Sequence, residues 1–252
     1  MKTLEAVLER LELHGLTARP SKCSFGFFEI KYLGFQIGQN CISPLPAKTE
    51  AILNVPQPNT KKTLRSFIGM VSFYREFIPN IAEIMSPLTD LLKKEVKEPI
   101  VFGDEAIKAF QILKMLLSKD PVLRLPNIER DFCLRTDASM IGLGAVLLQY
   151  WDGIPFPVHY ISRKLLAPEM KYATIERECL AVIWAIEKFK FYLYGKQFII
   201  ETDHMPLQYL KNLKDKNDRL VRWALALQPY NYRVVYIKGS DNHGADFLSR
   251  AF

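Results

Sequence analysis

Four acidic residues occupy positions unusual for carboxylates. Asp137 ends one β-rich run, Glu178 lies inside an apolar helical stretch, Asp203 ends another run, and Asp246 begins a last helix. Taken singly, each could be a strand-end cap or part of a solvated helix face. Together they could perform a defined chemistry. Two divalent cations about 4 Å apart need several hard oxygen ligands converging from different elements, and strand ends beside a helix terminus supply such convergence in an α/β sheet.

The elements that must position these acids follow from periodicity. Phe132, Leu134, Val146, Leu148, Val158, Tyr160, Phe198, Ile200, Val234 and Tyr236 fall in short alternating or β-rich runs. Between the third and fourth runs, residues 175–194 read as one long apolar-rich helix. Helical stretches around Leu207–Leu213 and Arg219–Leu227, a last strand, and a short helix from about His243 complete the order. This alternation predicts an α/β domain, a mixed sheet with helices on both faces. Upstream, Leu4, Val7, Leu8 and Leu11 form a helical stripe that stops at Gly15, and residues 25–37 read as a strand pair. Pro44, Pro46, Pro56 and Pro58 punctuate the chain before a helical stripe of Lys61, Leu64, Phe67, Ile68, Val71 and Tyr74. A further helix is expected over Asp104–Leu117, and Pro121 and Pro126 mark the main boundary.

The composition is that of a folded chain: 252 residues, 49% hydrophobic and 24% charged. A net charge of +7 permits an anionic partner without choosing between nucleic acid, acidic protein and membrane. Cys23, Cys41, Cys133 and Cys179 lack C-x-x-C spacing, so neither a zinc site nor a disulfide framework is suggested. Charged residues in the first turns and the absence of an apolar stretch of membrane-spanning length lead us to expect an intracellular protein, cytoplasmic or nuclear, with no membrane partner.

The segments LRTDASMIGLGAVLLQ, HYISRKLLAPEMKYATIERECLAVIWAIEKFKFYLYG, FIIETDHMPLQYL, RWALALQPYNYRVVYIKG and DNHGADFLSR run in order from about Asp131 to Phe252. They resemble the ribonuclease H domain of gypsy-type retrotransposon reverse transcriptases. The upstream half is similar to the same polymerases. KCSFGFFEIKYLGFQIG looks like the palm end with its primer-grip hairpin, KTEAILNVPQP with LRSFIGMVSFYREFI and SPLTDLL like the thumb, and FGDEAIKAFQILKMLLSKDPVLRLP like the connecting segment. The resemblance divides the chain into a palm remnant (1–42), a thumb-like helical region (43–94), a connecting segment (95–130) and a ribonuclease H-like domain (131–252). Departures from the family pattern fall at Phe35, Cys41 and Phe247, none of them a candidate ligand.

The resemblance implies a catalytic and metal-binding tetrad of Asp137, Glu178, Asp203 and Asp246 holding two Mg2+ ions, with Mn2+ as a substitute. Glu176 competes for the helix position; the family carries an acid followed by x-Leu-Ala, which selects Glu178. The implied activity is endonucleolytic hydrolysis of the RNA strand of RNA–DNA hybrids. The family's polymerase motif, Y-x-D-D, has no counterpart, since no two aspartates are adjacent in the chain. DNA synthesis by this chain alone is therefore not expected. The alternative is a retroelement remnant of little catalytic power that binds nucleic acid or protein.

His243 could assist product release, as a loop histidine does in cellular ribonucleases H, or be a solvated first-turn residue. Arg163, Lys164, Lys211, Lys214, Lys216, Arg219 and Arg222 could track phosphates, joined by Lys61, Lys62 and Arg65, although each could equally be a plain solvated side chain. Backbone from Asp137 to Gly142 is expected beside the 2′-hydroxyls of the cleaved strand. Trp184 and Trp223 read as core. The partners implied are an RNA–DNA hybrid and either the remainder of a reverse transcriptase or a second copy, because the first helix carries an apolar face that wants cover.

Overall fold

A computed structural model describes residues 2–119, 121–203 and 218–237. The helices expected around Leu207–Leu213 and from His243 lie outside the described residues, as do Asp246, His243, Lys211, Lys214 and Lys216.

Helix α1 (Lys2–Leu13) ends as its glycine predicts. Gly15 adopts a left-handed φ of 64°, and the Leu16 amide donates to the Leu11 carbonyl at 2.9 Å. None of its residues is buried. The expected strand pair is shorter than its sequence suggests, because Gly26 at φ 73° breaks the extended run and leaves Phe25, Phe27 and Phe28 exposed. Strands β1 (Ile30–Tyr32) and β2 (Phe35–Ile37) join through Leu33 and Gly34, both at positive φ, as a tight two-residue hairpin requires. β3 (Cys41–Pro44) pairs with β2, and β4 (Leu123–Arg124) pairs with β3 to complete a four-stranded antiparallel sheet.

Helices supply most of the first core. Between the prolines lies α2 (Pro46–Leu53), not foreseen as a helix. Helix α3 (Lys61–Phe73) is capped by reciprocal bonds between Thr60 and Thr63 and buries Leu64, Phe67 and Val71 completely. Against it lies α6 (Asp104–Ser118), whose first-turn acids suit its N-terminus and whose Ala106, Phe110, Leu113 and Leu117 face inward as their spacing predicts. Short helices α4 (Ile81–Ile84) and α5 (Ser86–Asp90) lie between them in sequence.

The second core belongs to a five-stranded mixed sheet. Strands β5 (Phe132–Ala138), β6 (Gly142–Trp151) and β7 (Ile154–Lys164) form an antiparallel meander. β8 (Gln197–Thr202) runs parallel to β5 and β9 (Asn231–Tyr236) parallel to β8, giving the order β7-β6-β5-β8-β9. Strand alternation sends Phe132, Leu134, Ala145, Leu147, Phe198 and Ile200 to one face. There they meet Cys179, Val182, Ala185 and Ile186 of α7 (Thr174–Lys188) and Leu220 and Leu227 of α9 (Asp218–Leu227). The helix expected over 175–194 is interrupted. At Phe189 the backbone turns out of the helix, so that Phe189 and then Leu193 of α8 (Lys190–Leu193) both enter the core.

The two cores meet along β7, the edge strand of the second sheet. Arg75 donates to the Ser162 carbonyl at 3.1 Å and the Ala82 amide to Ser162 Oγ at 2.9 Å. Tyr160 packs against the first core and against the small cluster of Cys133, Val146 and Leu148 on the second sheet. An edge that would otherwise offer unpaired backbone groups is thereby covered.

Candidate functional site

Asp137 sits near the end of β5, paired across the sheet with Gly144 of β6. Burial, the charge of Asp203 and an opposing bond from the Ala138 amide act on its carboxyl, and the net effect is to raise it above the ordinary aspartate value. Glu178 lies on α7 with only 8% of its surface exposed. Burial, then Asp137, then Asp203 push its carboxyl up to about 8, against the pull of Arg177. Asp203 follows directly on β8 and is exposed. Three of the four candidate acids therefore converge from a strand end, a helix and a second strand end: the charge of Asp203 acts on Asp137, and the charges of both act on Glu178. The fourth, Asp246, lies outside the described residues.

Glu176, the rival for the helix position, has another task. Its Oε2 accepts the Ala173 amide at 3.0 Å, capping α7, and its Oε1 accepts Arg219 Nη1 at 2.9 Å. Two residues along a helix turn a side chain to another face, which separates the two glutamates.

The donor set suits a hard divalent cation, being all carboxylate oxygen, and the burial and like charge that raise Glu178 are what such a cation would offset. Among the described residues, however, no three acidic, histidine or cysteine side chains already stand at metal-holding spacing.

Arg177 was not foreseen. It is buried and ties the turn after Asp137 to α7, donating to the Ser139 carbonyl at 3.1 Å, the Met140 sulfur at 2.7 Å and Thr174 Oγ1 at 3.3 Å. Within that turn Ser139 Oγ accepts the amides of Ile141 and Gly142. A small polar hollow beside Asp137 is lined by Ser139, Gly142 and Ser162 together with Asn80 and Glu83 from the first unit. Asn80 explains Gly144: a Cβ there would lie 2.0 Å from the Asn80 amide oxygen. Neither contact had a sequence signal, since each joins residues far apart in the chain.

The basic candidates divide. Arg163 is engaged by both oxygens of Glu169, at 2.6 and 2.9 Å, and lies over Trp184. Lys164 reaches across the seam to Thr89 Oγ1 at 2.8 Å, and Arg219 pairs with Glu176 over the Tyr172 ring. These three have partners within the chain. Arg222, Lys62 and Arg65 are exposed, while Lys61 is half-buried and bonded to the Lys93 carbonyl. Trp184 and Trp223 pack against the second core, as expected. The four cysteines are free thiols, and among the described residues no helix is long and apolar enough to cross a membrane.

Residues 127–230 match the family described as the RNase H-like domain found in reverse transcriptase. The chain is 42% identical over 250 residues to the Pol polyprotein of transposon 297 and 38% identical over 261 residues to that of transposon gypsy, both of Drosophila melanogaster. It is 34% identical over 255 residues to the Tf2-3 transposon polyprotein of Schizosaccharomyces pombe. Each match spans 99% of this chain but only 23%, 25% and 19% of the respective relative. The foamy viral protease-reverse transcriptase dRH solved with double-stranded DNA superposes with a TM-score of 0.77 at 23% identity, covering 94% of this chain and 42% of that one. The foamy viral protease-reverse transcriptase solved with an RNA/DNA hybrid gives 0.75 at 23% identity, covering 94% and 33%. These likenesses establish the fold. The sheet, the covering helices and the matched stretch define an RNase H-like domain of the reverse-transcriptase kind. Over nearly its whole length the chain is similar to retrotransposon Pol polyproteins, gypsy among them, of which it spans about a quarter or less.

Proposed function

We propose that this chain hydrolyses the RNA strand of RNA–DNA hybrids internally, using Asp137, Glu178, Asp203 and Asp246 to hold two Mg2+ ions, with Mn2+ as a substitute. The observation that carries this reading is the convergence of Asp137, Glu178 and Asp203 from three elements, with Glu178 pushed up to about 8 by burial and by the other two. Folding gains nothing from mutually repelling, half-desolvated carboxylates, and strongly perturbed groups of this kind cluster at functional sites. When bound, the ions would supply activation of a water nucleophile and stabilisation of the leaving 3′-oxygen. Asp137 and Asp203 supply oxygens from the strand ends and Glu178 from the helix. Arg177 holds the Ser139–Met140 backbone beside Asp137, where a ribose 2′-hydroxyl would report RNA. Arg222, Arg65 and Lys62 remain exposed for the opposite strand's phosphates, with Lys211, Lys214 and Lys216 as further candidates. His243 is proposed to ease product release.

The test is cleavage of end-labelled RNA annealed to DNA. Internal cuts in Mg2+ that vanish in Asp137→Asn support the reading. Cutting by wild type and Asp137→Asn alike contradicts it.

A second reading, a retroelement remnant that binds nucleic acid or protein with little catalysis, draws on the absence of a ready metal-holding trio among the described residues. Hybrid binding without cutting in the same assay would favour it.

A further inference from the structure

Two residues before Asp137 on β5 stands Arg135, and two residues before Asp203 on β8 stands Glu201. They are cross-strand partners in the parallel ladder. Strand side chains alternate, so Arg135 shares a face with Asp137 and Glu201 is in the matching position to Asp203. The Arg135 guanidinium donates from Nε to Glu201 Oε2 and from Nη2 to the Tyr150 hydroxyl at 2.8 Å. Tyr150 in turn donates to Glu201 Oε1 at 2.8 Å. The triangle is closed: both carboxylate oxygens and the phenol are satisfied, and the two charged side chains are only 11% and 10% exposed.

The position of this triangle matters more than its strength. β5 is carried to Ala138 by its pairing with β6, and β8 is carried to Thr202 by its pairing with β9. The ladder between β5 and β8 themselves stops at Arg135 opposite Glu201. Among the described residues no backbone pairing relates the two strand ends beyond that point, yet both candidate acids lie beyond it. A slip of one residue in a strand sends every side chain to the opposite face, and would replace Asp203 by Thr202. A buried ion pair seldom stabilises more than apolar residues of equal size would, and its best-attested use is to fix register. Tyr150 is pushed up to about 12 by burial and by Glu201, so it keeps the proton it donates.

We infer that Arg135, Glu201 and Tyr150 form a buried clamp that fixes the register of β5 against β8 and thereby sets Asp137 relative to Asp203. They are positioning residues. Their relevance to metal holding rests on the proposed nuclease reading, but the clamp itself does not.

The test uses the full chain and two variants. Arg135→Met/Tyr150→Phe/Glu201→Leu removes the whole triangle and orphans none of its members. Arg135→Glu/Glu201→Arg keeps a pair of reversed sense. Three readouts are taken: thermal midpoint, amide exchange without metal, and the Mg2+ concentration that gives half of the maximal thermal stabilisation. For the apolar triple we expect a thermal midpoint at or above wild type. Protection should nevertheless be lost locally at residues 136–138 and 202–203, while Leu134 and Ile200 keep theirs. The Mg2+ midpoint should rise roughly tenfold or more, the scale on which residues that orient metal ligands act. The reversed pair should restore both local protection and the Mg2+ midpoint. Wild-type strand-end protection and an unchanged Mg2+ midpoint in the triple would overturn the clamp, as would uniform loss of protection through the core. If the triple fails to fold, the reversed pair decides: retained strand-end protection supports the clamp, and its local loss at an unchanged thermal midpoint refutes it. Failure of the nuclease reading looks different. Wild type would then neither respond to Mg2+ nor cut hybrid, while metal-free exchange would still report on the clamp.

Discussion

The second unit buries charge in two ways. At Arg163–Glu169 and Arg135–Glu201 every buried charge has its opposite within bonding distance. At Asp137 and Glu178, with the exposed Asp203 beside them, like charges bear on one another, opposed at Glu178 by the pull of Arg177. Paired buried charge is architecture, since removing one partner strands the other. Unpaired like charge is costly to the fold and so points to a task performed with something added.

The largest expected effect lies on the unpaired side. Asp137→Asn, Glu178→Gln, Asp203→Asn and Asp246→Asn should each lower hybrid cleavage at least about a hundredfold, the scale of losing a group that stabilises transition-state charge, while circular dichroism shows the fold intact. Glu176→Gln should cut nearly as well as wild type, because its carboxylate caps a helix and holds Arg219. An inactive Glu176→Gln beside an active Glu178→Gln would place the site on the wrong helix face.

The same contrast predicts opposite signs for stability. Without divalent cations, Glu178→Gln should raise the thermal midpoint above pH 8. There the wild-type carboxylate must ionise against burial and two neighbouring acids. A raised carboxyl contributes stability that is present below its unfolded value and is lost as pH rises through the folded one, so the advantage of Gln should shrink toward pH 5. Arg163→Met should instead destabilise, by about 1–3 kcal/mol at neutral pH. Arg163 holds the Glu169 carboxyl below its ordinary value, and that contribution fades as the medium is acidified. Urea titrations at several pH values check both signs.

A smaller effect is expected at the seam between the units. Gly144→Ala would drive a methyl into the Asn80 amide, costing on the order of 1–3 kcal/mol, and Asn80→Ala in the same chain should recover most of it. The smallest effect belongs to α1, whose apolar stripe buries nothing. Its amides should exchange with little protection in a dilute monomer, and strong protection over residues 2–13 would mean that the stripe has found cover.

Much of this was legible in the sequence because it is local. The Gly15 cap, the inward stripes of α3 and α6, and the placing of three acids at strand ends and on a helix all follow from spacing. What was not legible depends on contacts between distant residues. Phe189 leaves the helix to fill a core that eight other elements build, and β4 is a strand only because β3 lies beside it. Arg163, Lys164 and Arg219 looked like solvated cations because Glu169, Thr89 and Glu176 approach them only after folding. Arg135 and Glu201 did carry a signal that went unread: opposite charges in apolar strands, each two residues before a candidate acid.

The central claim, that unpaired buried charge marks a site built to cut RNA paired with DNA, is tested most directly by offering one sequence as hybrid, DNA duplex and RNA duplex in the same salt. The account predicts internal cuts in the RNA of the hybrid with Mg2+ or Mn2+ but not Ca2+, intact DNA duplex, and at best poor cutting of RNA duplex. Equal cutting of hybrid and DNA duplex would contradict it, because the site would then not be reading the sugar.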